Sequence, residues 1–155
     1  MRDRSPPIGK PRRATDVDAE RDQFISFVTD QLRRWAPVSV RRLFGGQGIY
    51  RGERMFAFIR RDTLYLRTDD INRPDFMAAG MGPLRVGKPG KARIALSYHE
   101  APAEILDEPE QLVQWAERAF AAALRRDEAK ARRAPRARRA ARNRTRRPPL
   151  KRRKD

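Results

Sequence analysis

The sequence predicts a small α+β domain, an antiparallel sheet of about five strands with a long helix near each end of the domain packed on it. Two periodicities predict this class. Apolar residues recur every three or four positions near both ends of the foldable part, as in amphipathic helices, and alternate with period two between them, as in strands. In addition, four of the nine glycines fall within positions 45–52, and we interpret that cluster as a bend between two strands.

The first long helix is predicted over residues 16–34. Thr15 and Asp18 have the spacing of a capping box, and apolar residues follow at helical intervals as far as Trp35. Pro37 ends the helix, because the residue before a proline is displaced from the helical region.

Strands are predicted from Val38 onwards, where the period changes to two. The residues expected on one face of the first strand are Val38, Val40, Arg42 and Phe44. Beyond the glycine cluster, a turn at Gly52-Glu53 leads into a hairpin formed by residues 54–60 and 63–68.

A short helix is predicted between strands. Asn72 precedes it as a cap, and Gly80 is a natural left-handed stop. Residues 84–86 are expected to form an edge strand and residues 92–98 the last strand, with a turn at 88–91 between them.

The second long helix is predicted to begin near Asp107, which repeats the capping pattern with Glu110, and its apolar stripe ends at Leu124. Pro135 is expected to interrupt any continuation, and the residues beyond it carry too little apolar surface to fold alone. The predicted division is a disordered basic arm (1–14), a folded domain (15–126) and an Arg-rich, mostly disordered tail (127–155).

The basic excess lies entirely in the two ends of the chain. Residues 1–15 carry a net charge of +4, residues 16–124 carry sixteen charges of each sign, and residues 125–155 carry sixteen Lys/Arg against three acids, which together give +17. A polyanion is therefore expected to bind the ends and not the middle.

Several classes of protein are disfavoured by composition. The chain has no cysteine, which excludes a disulfide framework and a thiolate metal site. No apolar run approaches the roughly 20 residues that cross a bilayer, and proline and glycine interrupt the N-terminal region where a signal peptide needs an apolar stretch. We expect a cytoplasmic protein with no metal and no cofactor.

His99 is the only histidine and lies in the segment Ser97-Tyr98-His99-Glu100. On one strand Ser97 and His99 share a face while Glu100 points away, and no catalytic motif surrounds them. The glycine cluster lacks the residues and spacing of nucleotide-binding loops. One alternative stays open: a small enzyme or ligand-binding domain that uses Ser97, His99 and Glu100 or the glycine bend, with a tail that only solubilises.

Tyrosines occur in three of the predicted strands, at Tyr50, Tyr65 and Tyr98. Aromatic rings on a sheet face among positive charges are typical of proteins that bind single-stranded nucleic acid. Aromatic residues in half-buried strands more often pack in the core. We therefore expect these rings to face the helices.

The C-terminal tail is the strongest functional signal. A segment of this charge binds polyanions by releasing their counterions, and without aromatic residues or fixed geometry it reads no base sequence. Nucleic acid is favoured over an anionic membrane, because only Leu150 offers an apolar anchor, and over a tail that solubilises without a partner. The predicted contact residues are Arg132, Arg133, Arg136, Arg138, Arg139, Arg142, Arg144, Arg146, Arg147, Lys151, Arg152, Arg153 and Lys154.

Five motifs occur in an order that resembles the TfoX/Sxy N-terminal domain, over about residues 20–125. They are residues 41–50 (RRLFGGQGIY), 55–57 (MFA), 64–67 (LYLR), 72–76 (NRPDF) followed by Gly80, and 96–102 (LSYHEAP).

The resemblance implies a small α+β domain in a family of regulators of natural competence for DNA transformation. Its members resemble transcriptional co-regulators that work with a DNA-binding transcription factor, and the family has no established catalytic residues. The full-length regulators also have a C-terminal domain, in whose place this sequence has an Arg-rich tail. We expect a non-enzymatic regulatory or adaptor protein whose domain contacts a protein partner and whose tail holds nucleic acid without sequence preference.

Overall fold

The computed structural model describes residues 14–88 and 94–145, which form a six-stranded antiparallel sheet with helices packed on one face. The strands are β1 (Ser39–Leu43), β2 (Gly46–Arg51), β3 (Arg54–Arg60), β4 (Thr63–Arg67), β5 (Pro83–Val86) and β6 (Ile94–Glu100). The helices are α1 (Ala14–Leu32), α2 (Arg73–Ala78), α3 (Ala103–Leu106) and α4 (Pro109–Thr145). The predicted α+β class and both long helices are confirmed. The sheet has one strand more than expected, and α3 was not predicted.

The strands lie in the order β1-β2-β3-β4-β6-β5, so the predicted edge strand at residues 84–86 is confirmed as β5. Consecutive strands β1 to β4 are joined by two-residue turns, because each hairpin closes on a pair such as Leu43 with Gly46 or Arg60 with Thr63. Residues 1–13, 89–93 and 146–155 lie outside the described residues. The predicted N-terminal arm, most of the turn at 88–91 and the end of the tail fall there.

The turn between β1 and β2 differs from the prediction. It consists of Phe44 and Gly45, with φ angles of 48° and 74°. Phe44 was expected on a face of the first strand, but it occupies the first position of the turn and its side chain is 86% exposed. The reason is that Gly45 allows a tight turn, so the strand ends at Leu43, one residue before Phe44.

Two of the clustered glycines belong to strand β2 and not to a bend. A Cβ atom at Gly46 would lie 2.5 Å from both the Ile59 carbonyl oxygen and the Phe58 ring, and one at Gly48 would lie 2.7 Å from the Met55 sulfur. Side chains of β3 therefore lie across the backbone of β2, and only glycine leaves them room.

The main hydrophobic core lies between the sheet and the helices. Phe56 and Leu64 from the sheet meet Leu32 of α1 and Leu112 of α4, all at most 2% exposed. Small residues such as Ala116 on the buried side of α4 are typical of a helix that lies close to a sheet. The two long helices thus bury a large apolar area, which is the main stabilising contribution to this fold.

A second, smaller cluster lies on the opposite face of the sheet, which we call the open face. Phe58, Leu84 and Tyr98 form its centre, and Tyr65 and Met55 pack against them. Strand alternation places these residues opposite the main core. Within the described ranges, no helical residue belongs to this cluster.

Helix α4 continues far beyond the predicted end. It runs unbroken through Pro135 to Thr145, so the expectation that Pro135 interrupts the helix is wrong. Alanine and arginine are strong helix formers, and the packed first half of α4 already supplies the costly nucleus. The carbonyl that Pro135 leaves without a donor is exposed to water, which can satisfy it. None of the described helices is long and apolar enough to span a membrane.

Candidate nucleic-acid interface

Helix α4 is fixed to the folded domain by an ion pair between Arg125 and Asp69. Both carboxylate oxygens of Asp69 accept hydrogen bonds from the Arg125 guanidinium, the Nη2 contact measuring 3.0 Å. Asp69 also accepts the backbone N–H groups of Ile71 and Asn72 at 3.0 and 3.2 Å. The pKa of Asp69 is lowered chiefly by the Arg125 hydrogen bond, against the opposing effect of burial. The ion pair thus joins the loop before α2 to α4, in addition to the apolar contacts that pack the first half of the helix on the sheet.

A second ion pair farther along α4 joins the helix to the sheet. Arg54 at the start of β3 donates to Asp127 at 2.8 Å. Asn72 helps to shape the same region, although its side chain does not cap α2 as predicted. Instead its amide donates to the Arg67 carbonyl at 2.9 Å and its oxygen accepts the Asp69 N–H at 2.8 Å.

Residues 128–145 form what we call the cationic extension. Every side chain described there is exposed. These residues include eight Lys/Arg and one Glu, a net charge of +7. At 1.5 Å per residue the extension reaches about 27 Å beyond Asp127. It is therefore a charged rod that projects from the domain.

Seven of the thirteen predicted contact residues lie on this rod and are exposed. They are Arg132, Arg133, Arg136, Arg138, Arg139, Arg142 and Arg144. The other six lie outside the described residues. The tail was expected to be mostly disordered, and in the range 128–145 this expectation is corrected, because those residues are helical.

The arginines surround the helix and do not form a single stripe. At 3.6 residues per turn, Arg132, Arg136 and Arg139 share one side while Arg138 and Arg142 share another. Such a distribution can meet phosphates on more than one strand, but it offers no aligned set of side chains for base edges. The arrangement could therefore contact a phosphate backbone, and it is not suited to reading a base sequence.

The structure pairs His99 with Thr68 and places Glu100 on the other face of the sheet. His99 Nδ1 shares a hydrogen bond of 3.0 Å with the Thr68 hydroxyl, and its ring lies 5.6 Å from that of Phe76. Burial lowers the pKa of His99, with a smaller effect of the Arg73 charge. Glu100 projects from the opposite face and is exposed. In residues 14–88 and 94–145 there is no group of three side chains that could hold a metal ion.

The three tyrosines do not face the helices, contrary to the prediction. Tyr50, Tyr65 and Tyr98 all lie on the open face by strand alternation. Arg41 lies 4.6 Å over the Tyr50 ring and Arg67 lies 5.0 Å over the Tyr98 ring. Tyr98 is only 4% exposed, and this burial raises its pKa. The alternation of side chains along a strand shows that the sheet has two faces, but it does not show which face the helices cover. The sequence alone therefore did not predict that the tyrosines lie on the open face.

A comparison of the sequence with family models gives a match over most of the folded part. The model of the TfoX N-terminal domain matches residues 30–123. The chain belongs to the TfoX N-terminal domain family. The TfoX match ends at residue 123, before Asp127, so the cationic extension lies outside the matched segment. None of the curated proteins matches the chain.

Proposed function

We propose that this TfoX N-terminal domain protein is a non-enzymatic regulator or adaptor of the competence-related type. In this proposal the cationic extension holds nucleic acid through its phosphates, and the folded domain contacts a protein partner such as a DNA-binding transcription factor. The observation that carries the proposal is the helical rod of net charge +7, fully exposed and fixed to the domain at Asp127.

The physical basis is counterion release. Each phosphate that an arginine neutralises frees condensed cations, so the logarithm of the binding constant falls with the logarithm of salt by about 0.9 per contact on duplex DNA. Four or more simultaneous contacts therefore give a steep slope. Because no side chain of the rod is positioned to read bases, the slope is expected to be the same on unrelated sequences.

The test compares two variants of equal net charge in the full chain. The first loses four charges from the extension, by replacement with glutamine of Arg132, Arg136, Arg138 and Arg139. The control loses four charges from the folded domain, by replacement with glutamine of Arg33, Arg34, Arg85 and Arg118. Binding to a fluorescent duplex is measured at several salt concentrations.

The extension variant is expected to lose about three to four units of the log–log salt slope, and the control about one unit or less. Two duplexes of equal length and different sequence are expected to bind the intact chain within about twofold of each other. If both variants lose the same affinity, the protein responds only to net charge and the proposal fails. If neither variant changes binding, the extension only solubilises the chain.

A further inference from the structure

A groove lies at the end of the sheet opposite to the cationic extension, and we call it the hairpin groove. Its volume is about 700 Å³. The first half of α1 forms one wall through Asp18 and Asp22, and the turns β1–β2 and β3–β4 form the other. Two other cavities among the described residues have volumes of about 220 and 400 Å³.

The backbone of both turns is unusual at this groove. In residues 14–88 and 94–145, the only non-glycine residues with positive φ are Phe44, at 48°, and Arg61, at 55°. Both line the hairpin groove. Side chains other than glycine, asparagine and aspartate seldom adopt this region, and such residues concentrate at binding sites. Each is the first residue of a two-residue turn, as is Gly52 with a φ of 60°, so the hairpin geometry sets this conformation and places both residues at the groove.

The Phe44 side chain adds an independent observation. It is 86% exposed, the largest value among the exposed large hydrophobic residues of the described chain. An exposed aromatic ring at the tip of a hairpin contributes little to the stability of the domain, whereas aromatic residues are enriched where proteins bind partners. Phe44 is therefore placed to contact a partner.

The charges at the groove complement an anionic partner. Arg42, Arg60 and Arg61 form no ion pair with any residue that the structure describes. The only guanidinium of the groove with a carboxylate partner there is Arg21, which lies 3.9 Å from Asp18 at the exposed surface. The three arginines can bind carboxylates of a ligand, and the exposed ring of Phe44 beside them can contact an apolar side chain of the same ligand.

Position and charge favour a protein segment over nucleic acid. The groove lies at the turns β1–β2 and β3–β4, whereas α4 leaves beside the β2–β3 turn, where Arg54 binds Asp127. With about six residues per strand, these ends are about 20 Å apart. Asp18 and Asp22 on the groove wall disfavour a continuous phosphate backbone, which carries a charge at every nucleotide, more than a segment in which a few carboxylates stand among apolar residues.

We propose that the hairpin groove binds an acidic segment of a partner protein, with carboxylates on Arg42, Arg60 and Arg61 and an apolar side chain against Phe44. This inference rests on the proposed adaptor function, because it identifies where the folded domain meets its protein partner.

The test uses the full chain, labelled with ¹⁵N, and a short synthetic peptide rich in Glu and Leu. The matched control peptide carries Gln in place of Glu. We expect the acidic peptide to shift the amide signals of Phe44, Gly45 and Arg61 and to leave those of the cationic extension in place. The Gln peptide is expected to bind about tenfold or more weakly.

Variants locate the site. Phe44→Asn is expected to weaken peptide binding about tenfold, Phe44→Trp to retain it, and the pair Arg42→Gln and Arg61→Gln to weaken it about tenfold. A control that removes the same charge elsewhere, Arg33→Gln with Arg34→Gln, is expected to change it less than about twofold. All of these variants are expected to bind duplex DNA like the intact chain, which separates this inference from the proposed function.

Four results would overturn the inference. The acidic peptide could fail to bind at low salt, or it could shift only the cationic extension. Single-stranded DNA could occupy the groove with the same signals, which would make the site one for nucleic acid. Finally, light scattering could show a dimer that Phe44→Asn dissociates, which would make the occupant a second copy of this chain.

Discussion

At Phe44 the local conformation and the residue type disagree. The turn formed by Phe44 and Gly45 has positive φ at both positions, where Asn-Gly is the preferred pair. Phe44→Asn is therefore expected to raise the free energy of unfolding by about 1 kcal/mol, because asparagine tolerates this region. Urea denaturation measures the change. Phe44→Leu is the control, since leucine keeps the strain, and a stabilisation equal to that of asparagine would show that the φ angle is not the cause.

Replacement of Gly46 tests whether β2 and β3 lie too close together there for a side chain. Gly46→Ala would place a Cβ atom 2.5 Å from the Ile59 carbonyl oxygen, and backbone cannot move aside as a side chain can. The free energy of unfolding is expected to fall by about 3 kcal/mol. At Gly45, where no atom lies within 4 Å of a Cβ and φ is +74°, alanine is expected to cost only about 1 kcal/mol. Equal costs in thermal or urea unfolding would contradict the packing argument.

The ion pair of Asp69 with Arg125 predicts a dependence of stability on pH. The pKa of Asp69 is lower in the folded chain than its ordinary value of 3.8. Its contribution to stability is therefore complete above pH 3.8 and is lost as the pH falls through the folded pKa. The partners are 25% and 36% exposed, so solvent weakens the pair. Relative to Asp69→Asn, the intact chain is expected to be more stable by about 1 kcal/mol at neutral pH.

Denaturant unfolding of both proteins from neutral to acidic pH checks this expectation. The difference between them should shrink as the pH falls below 3.8. A difference that stays constant over this range would mean that the charge of Asp69 does not contribute, and that its loop hydrogen bonds carry the effect.

In the cationic extension, the tendency of alanine and arginine to form a helix is opposed by repulsion between like charges. Arg138 and Arg142 are four residues apart, so their like charges oppose the helix. Arg138→Glu converts this pair to a favourable one, with the acid nearer the N-terminus, whereas Arg138→Gln only removes the repulsion. Helix content at low salt, measured by far-UV circular dichroism, is expected to rise in the order Arg, Gln, Glu.

Binding of nucleic acid is also expected to change the helix content of the cationic extension. Phosphates neutralise the arginines, so duplex DNA is expected to raise the helix content of the intact chain more than that of the chain with Arg138→Glu. Equal helix content in all three proteins, with and without DNA, would show that side-chain charge does not govern this helix.

The elements show which parts of the fold can be predicted from sequence. The hairpins β2–β3 and β3–β4 were predictable because Gly52 and the polar residues after Arg60 act locally. The helix of the extension was not predictable in this way. The rule that a proline such as Pro135 breaks a helix applies to isolated helices, and it does not account for a helix that packing has already nucleated. The seven arginines on it were predicted as contact residues from charge alone, which needs no fold. The hairpin groove was missed, since it joins α1 to two turns that are distant in sequence.

At the scale of the whole molecule, two surfaces lie at opposite ends of the sheet. The cationic extension leaves beside Arg54 and Asp127, and the hairpin groove surrounds Phe44. Under the proposed function, this separation would allow nucleic acid and a protein partner to be held at the same time without competing. The strongly basic character of the chain comes from its two ends, whereas the folded residues 16–124 carry no net charge.

The most direct test of this account is the salt dependence of duplex binding by the intact chain and by a chain that ends at Asp127. The shortened chain keeps the contacts of Arg125 and Asp127 with the domain. The intact chain is expected to show a log–log slope of several units, and the shortened chain, which keeps the basic residues 1–15, a slope smaller by several units and much weaker binding. A shortened chain that binds duplex DNA as tightly and with the same slope would contradict the account.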